Sequence, residues 1–324
     1  MLFPCGMARS SAVARSRSLK HVQRHKALDH SKTLLQEFLE ECFVLGYDDT
    51  MSLERLVDTV WNYYIKEGRS HLLWRRMHDP YRILVSEFML QQTQVSRVEE
   101  KYRQFLKRFP TVHTLASASF AEVLGMWQGL GYNRRAKFLH QTAKLVVKAY
   151  NGTIPNDPET IETFPGIGPY IARAIAIFAF NRPEVCIETN IRTVFTHFCF
   201  PRATNISDIM LLPRIEKALQ IAQEKGYPPR AWYGALMDYG VYLKGNGVRI
   251  NHKSAHYNKQ SAFKGSGREL RGAILRELLR APATTPSLAK ILMRTTSEVQ
   301  AQLVALQREG MVESRGRRFL VVSA

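Results

Sequence analysis

The sequence lacks several features that mark large protein classes. Its four cysteines (Cys5, Cys42, Cys186, Cys199) form no C-x-x-C pair. That argues against a disulfide framework or a four-cysteine metal site, and for a reducing compartment. No run of eighteen apolar residues occurs, and the block IAIFAF at 175–180 is far too short to span a bilayer. Acidic side chains are scarce: 28 Asp and Glu stand against 46 Lys and Arg, giving a net charge of +18 and a pI near 9.9. Residues 1–28 contain no acid at all. Sustained period-two alternation is missing between about 80 and 243, so that part reads as all-α.

What is present points toward a polyanion. A chain this basic with 45% hydrophobic residues can build a real core and attract nucleic acid, with a membrane surface as the rival partner. At 324 residues it has room for two domains, or one with appendages. Residues 1–30 read as a basic arm containing ARSSAVARSRSLK. Three readings stay open for it: a mitochondrial transit peptide, an over-called start, or an arm that touches nucleic acid. Residues 31–66 give two amphipathic helices split by GYDD, and helices then follow one another to 243, punctuated by RFPTV, GLGYN, NGTIPND and FPGIGP.

Residues 244–270 are polar, basic and aperiodic, and read as a loop or linker. Residues 271–324 then give helices at 271–280 and 286–293. A third helix follows, with Thr296 or Ser297 as N-cap and Gly310 as its stop, and then strands MVES and RFLVV joined by RGRR. Three helices and a hairpin in that order read as a winged helix-turn-helix, with Arg315, Arg317 and Arg318 on the wing. Such a module contacts either DNA or another protein. His252 and His256 have i, i+4 spacing, but no acidic or cysteine partner sits nearby, and no metal site is assigned.

Four stretches carry chemistry. SEFMLQQTQV (86–95) places Glu87 on an apolar helix face ahead of Gln91 and Gln92. GLGYNRRAKFL (129–139) follows, and TFPGIGPYIARAIAIFAF (163–180) has a Pro-Gly-x-Gly turn between helical runs. There Gly166 and Gly168 permit positive φ and close approach, and the next helix points free N–H groups outward, as suits a phosphate. VCIETNIRTVF (185–195) adds Glu188. In this order the stretches resemble the helix-hairpin-helix DNA glycosylase superfamily, and within it the A/G-specific adenine glycosylases of MutY type, over residues 72 to 243.

The resemblance implies an all-α, two-lobed helix-hairpin-helix glycosylase fold over residues 31–243, here followed by the small C-terminal winged-helix domain at 271–324. It implies an enzyme that removes a mispaired or damaged base from double-stranded DNA. Glu87 matches the acid that protonates the departing purine. Glu188 falls where the superfamily has an aspartate beside the sugar. Tyr170 falls where adenine and mismatch-thymine glycosylases carry Tyr and bifunctional lyases carry Lys, which implies a monofunctional enzyme.

The chemistry agrees with these roles. Cleaving an N-glycosidic bond leaves cationic character on the sugar and negative charge on the base, so it needs one acid and one ionised carboxylate. Glu87, among apolar neighbours, is the candidate for a raised pKa, with Glu188 as its ionised partner. Gln91, Gln92 and Tyr132 suit the gap left by an extruded base. Arg134, Arg135 and Lys137, with the hairpin N–H groups, suit phosphates. Lys244, Arg249, Lys253, Lys259, Lys264 and Arg268, with Tyr257 and Phe263 interleaved, would make the 244–270 loop DNA-facing; otherwise it is a solvated linker.

Departures from the family pattern are equally legible. Glu188 replaces aspartate, the tyrosine pair of the GLGYY motif is Tyr132–Asn133, and the tail has no room for the larger domain that checks for 8-oxoguanine. Relatives carry four cysteines for a [4Fe–4S] cluster just after the helix matching ALMDYGVYL; this sequence has none there, so no cofactor is expected. A monomer is expected, cytoplasmic and nucleoid-associated, or mitochondrial if the basic arm is a transit peptide. The alternatives are a thymine or uracil mismatch glycosylase and a catalytically weak lesion-binding protein.

Overall fold

The computed structural model describes residues 49–255, 257, 263 and 265–322, with only the backbone of 49–52. The basic arm, the first expected helix, His256, Lys259 and Lys264 lie outside the described residues. The chain runs α1 (Asp49–Glu67), α2 (Leu73–Arg76), α3 (Pro80–Leu90), α4 (Val95–Arg108), α5 (Val112–Ser117) and α6 (Phe120–Trp127). It continues through α7 (Arg134–Tyr150), α8 (Pro158–Glu162), α9 (Pro169–Phe180), α10 (Thr189–Cys199), α11 (Asp208–Glu224) and α12 (Pro229–Gly245). A 3₁₀ turn at Asn251–Lys253 precedes α13 (Gly267–Arg280), α14 (Thr285–Leu292), α15 (Thr296–Arg308), β1 (Val312–Arg315) and β2 (Arg318–Val321). No described helix is long and apolar enough to cross a membrane.

Local chemistry sets the helix ends. Asp79 caps α3 by accepting from the Arg82 N–H at 2.8 Å, with Pro80 at the first helical position. Capping boxes start α6 (Ser119 with Glu122) and α15 (Thr295 with Glu298). The α15 cap is therefore Thr295, one residue before the expected Thr296 or Ser297, because only Thr295 has an acid three residues on. Ser266 accepts from the Glu269 N–H, so α13 begins at Gly267 and claims the last residues of the expected linker.

The helices sort into two lobes. In one, α3 packs on α4, α7 and α9, and α7 packs on α5 and α6. In the other, α12 packs on α1 and α10, and α11 on α1. Contacts between α9 and α12 join them over a continuous buried core that includes Trp74, Trp127 and Trp232. The C-terminal module has its own core, formed by Leu270, Ile274, Leu288, Val299 and Leu303 with the antiparallel β1–β2 hairpin. Phe120 and Leu124 of α6 belong to that second core, so the C-terminal module is seated on the first lobe.

One buried carboxylate ties the chain before α2 to α12. Asp238 accepts from the Arg69 backbone N–H and Nε, both at 2.8 Å, and from Arg75 Nη2 at 3.2 Å. Its side chain is 1% exposed, and that of Arg75 is 10% exposed. Removing one partner of such a pair strands the other charge in the interior. Asp238→Ala is therefore expected to cost about 3–5 kcal/mol, read as a lowered urea midpoint. A loss under about 1 kcal/mol, the scale of an exposed pair, would show that the cluster is solvated.

Candidate active site

Three elements converge. Glu87 lies on the buried face of α3, Tyr170 is the second residue of α9, and Glu188 is the N-cap of α10. Their charges act on one another: Glu188 raises the Glu87 pKa, and both carboxylates raise that of the Tyr170 hydroxyl. The three expected catalytic residues, from separate stretches of sequence, thus share one site.

Glu87 is 7% exposed, and burial pushes its carboxyl up to about 7. A hydrogen bond from Tyr170 and the positive charge of Arg75 partly oppose that rise. Arg75 is thus a site residue that the sequence did not reveal: it is held by Asp238 and lies over the Phe178 ring at 5.8 Å. Burial pushes the Tyr170 hydroxyl well above its ordinary range, so it stays protonated and able to donate.

Glu188 does two jobs. Its Oε1 accepts from the Asn190 and Ile191 N–H groups at 2.7 and 2.9 Å, capping α10, and its Oε2 accepts from Asn190 Nδ2 at 3.2 Å. Burial raises its pKa, while the two N–H groups and the charges of Lys244 and Arg192 pull it back toward the ionised form. Arg192 itself is engaged bidentately by Asp208 at 2.8 Å.

The expected DNA contacts divide. Gln91 ends α3, and exposed Gln92 follows in the left-handed region (φ 51°), so the chain reverses there. Tyr132 is also left-handed (φ 48°) and 38% exposed; its hydroxyl accepts from Arg268 of α13 at 2.9 Å. Exposed Arg134 lies over the Phe138 ring at 5.0 Å. The same Phe138 lies against Gly166 (φ 73°), where a Cβ would come within 2.5 Å of it. Phe138 thus brings Arg134 beside the hairpin turn, which the Thr142 hydroxyl also holds by donating to the Pro165 carbonyl at 3.0 Å. Arg249 is exposed beyond the end of α12.

Four expectations need correction. Arg135 does not face solvent. It is 7% exposed, and its guanidinium donates to the carbonyls of Phe88, Met89, Gln91, Leu130 and Gly131 and to Thr93 Oγ1, at 2.5 to 3.2 Å. With both terminal nitrogens bonded to the chain and Nε buried without a partner, it is a structural clamp rather than a phosphate ligand. Lys137 is likewise spent, donating to the Glu309 carbonyl of the C-terminal module. Gly168 has φ −107°, so it needs no left-handed backbone; it leaves open space before α9. Lys244 is the last charged residue of α12 and turns inward, its Nζ donating to Asn190 Oδ1 at 2.7 Å.

The residues present do not fit an iron–sulfur cluster. The segment leaving α12 has no thiolate, and Cys186 is buried with its N–H donating to the Tyr233 hydroxyl. Among the described residues no group of three His, Cys, Asp or Glu side chains is placed to hold a metal ion. A surface cavity lined by His113, Thr114, Ala116, Ser117, Lys144 and Val147 has no carboxylate and includes none of the site residues.

The family model of the HhH-GPD superfamily base excision DNA repair proteins matches residues 85–217, which include Glu87, Tyr170 and Glu188. Residues 85–217 are thus similar to the proteins of that superfamily. An adenine DNA glycosylase of Mycolicibacterium smegmatis is 48% identical over 130 residues, 40% of this chain and 44% of that protein. An adenine DNA glycosylase of Buchnera aphidicola subsp. Baizongia pistaciae is 36% identical over 191 residues, 58% of this chain and 53% of that protein. The chain thus spans about half the length of the curated relatives it matches. The solved structure of a thermostable thymine-DNA glycosylase is similar in fold, with a TM-score of 0.51 at 22% identity over 59% of this chain and 86% of that one.

The raised pKa of Glu87 makes a stability statement with a definite sign. Its folded-state value of about 7 lies above its ordinary 4.5, so the native state binds the proton more tightly. The group does not oppose folding below about pH 4.5, and becomes progressively unfavourable as pH rises toward 7. At pH 8 the penalty is on the order of 3 kcal/mol. Glu87→Gln is expected to raise the urea midpoint at pH 8 and to change it little at pH 4.5; equal effects at both pH values would sink the assignment.

Proposed function

We propose that the chain is a monofunctional DNA glycosylase of base excision repair. It hydrolyses the N-glycosidic bond of a mispaired base, with adenine opposite guanine or 8-oxoguanine as its substrate. The observation that carries this reading is a buried carboxyl, Glu87, hydrogen-bonded to Tyr170 and close enough to Glu188 to feel its charge, with its pKa raised to about 7. The naming of the relatives as adenine DNA glycosylases supports adenine as the base.

Glu87, half protonated near neutrality, donates its proton to the departing purine. Glu188 faces the cationic sugar, and water completes the hydrolysis. Tyr170 stands where a Schiff-base lysine would be needed, so strand cleavage does not follow from that position. The extruded base costs a few kcal/mol to unstack, offset by Gln91, Gln92 and Tyr132 entering the gap. Arg134 and the N–H groups of the hairpin hold the backbone without reading sequence. The chain works as a monomer on duplex DNA and without an iron–sulfur cluster.

The direct test uses duplexes carrying A, T or U opposite G, and A opposite 8-oxoguanine, followed by alkaline cleavage of abasic sites. Adenine release is expected. Release of a pyrimidine alone would reassign the substrate, and salt-sensitive binding without excision would leave only a lesion-binding protein. Glu87→Gln is expected to lower single-turnover excision by about 10²-fold or more with the duplex Kd little changed. Purified protein is expected to contain neither iron nor acid-labile sulfide, and stoichiometric amounts of both would contradict cluster-free operation.

A further inference from the structure

Two departures from the superfamily pattern meet at one place. Glu188 is one methylene longer than the usual aspartate, and the chain leaving α12 has no cluster cysteines. We propose that Lys244, acting through Asn190, is a positioning residue that aims Glu188 at the sugar and anchors the chain leaving α12. The inference rests on the glycosylase reading given above.

Helix packing makes the contact possible. Gly240 and Lys244 lie four residues apart, on one face of α12. At Gly240 a Cβ would stand 2.5 Å from the Asn190 carbonyl oxygen, so the absence of a side chain lets α12 close on the start of α10. One turn later Lys244 Nζ donates to Asn190 Oδ1 at 2.7 Å. The Asn190 amide is thereby oriented with Oδ1 toward the ammonium and Nδ2 toward Glu188 Oε2, at 3.2 Å. The relay gives Oε2 a donor, while Oε1 is already held by the Asn190 and Ile191 N–H groups. The longer side chain is accommodated because both of its oxygens have fixed donors.

The chain beyond Lys244 is pinned back onto α10 and the loop that follows it without a thiolate. The Thr193 hydroxyl donates to Asn251 Oδ1 at 2.8 Å, Lys253 Nζ donates to the Pro201 carbonyl at 2.6 Å, and Ile206 pairs with Ser254. Among the described residues, the groups that act on Glu188 or feel its charge include the N–H groups of α10 and Arg192 on its own helix, Lys244 from α12, Glu87 from α3, Tyr170 from α9, and Cys186 just before it. Arg192 is shared with Asp208 and Arg75 acts on Glu87, which leaves Lys244 as the α12 cation aimed through Asn190.

Two measurements test the relay. The first is the pH profile of single-turnover adenine excision, whose acidic limb reports ionisation of Glu188. Lys244→Met is expected to move that limb upward by about one pH unit, because loss of a nearby cation favours the neutral acid. Asn190→Ala is expected to move it in the same direction, and Lys244→Arg to restore it. A uniform fall in rate with an unmoved limb would reduce Lys244 to a structural role and overturn the proposal.

The second needs no excision, so it separates failure of the relay from failure of the glycosylase reading. The lysines are reductively methylated with ¹³C, and the Lys244 resonance, assigned by its loss in Lys244→Arg, is titrated in wild type and in Glu188→Gln. The pKa of Lys244 is expected to fall when the carboxylate is removed. An unchanged titration would overturn the coupling, whatever base the enzyme removes.

Discussion

The site depends on a single inward-facing guanidinium. Arg135, at the start of α7, gathers the free carbonyls at the C-terminal end of α3 and those of the Leu130–Gly131 loop. The last carbonyls of a helix have no intrahelical donor, and burying them unpaired is costly. One arginine satisfies them from two segments at once, which fixes the Gln91–Gln92 reversal against the Tyr132 loop and seats α3, with Glu87, in the core. It lies 5.6 Å from the Trp127 ring and 5.4 Å from that of Tyr132, so aromatic faces share the stabilisation of the buried charge. Burial still lowers its pKa to about 10, far enough above neutrality to keep it charged.

This residue also marks where reading the sequence falls short. Arg134 and Arg135 are adjacent, basic and in a polar run, and composition treats them alike. A helix separates neighbours by about 100°, so one faces solvent over Phe138 while the other enters the core. That Glu87, Tyr170 and Glu188 come together was legible because each lies in a motif whose order resembles a known family. Arg75 and Asp238 were not, since their link spans 163 positions and no local pattern pairs them. The inward turn of Lys244 was hidden for the same reason. The order of three helices and a hairpin was legible, while their starts shifted: α13 begins four residues early at Gly267, and the α15 cap moves to Thr295. The module's seat on α6 and α7 left no local trace.

Charge within the site is arranged by separation rather than by quantity. The chain carries a large positive excess, yet near Glu87 the described cations are kept at a remove: Arg75 is committed to Asp238, and Lys244 reaches Glu188 through an amide. An ammonium directly against Glu87 would pull its pKa down and leave it ionised near neutrality. The excess lies instead on surfaces such as Arg134 and the wing arginines, where it can draw in a polyanion without disturbing the acid.

The seating of the C-terminal module has a further consequence. Phe120 and Leu124 sit within the glycosylase-like lobe in sequence, yet both are buried in the core of the winged helix. Lys137 and Tyr132 are tied across the same junction to Glu309 and Arg268. A boundary drawn at the linker separates two stretches of sequence but not two stable bodies, because cutting there would place two large apolar side chains in water. Melting of the module and loosening of the Tyr132 loop therefore belong to one cooperative event.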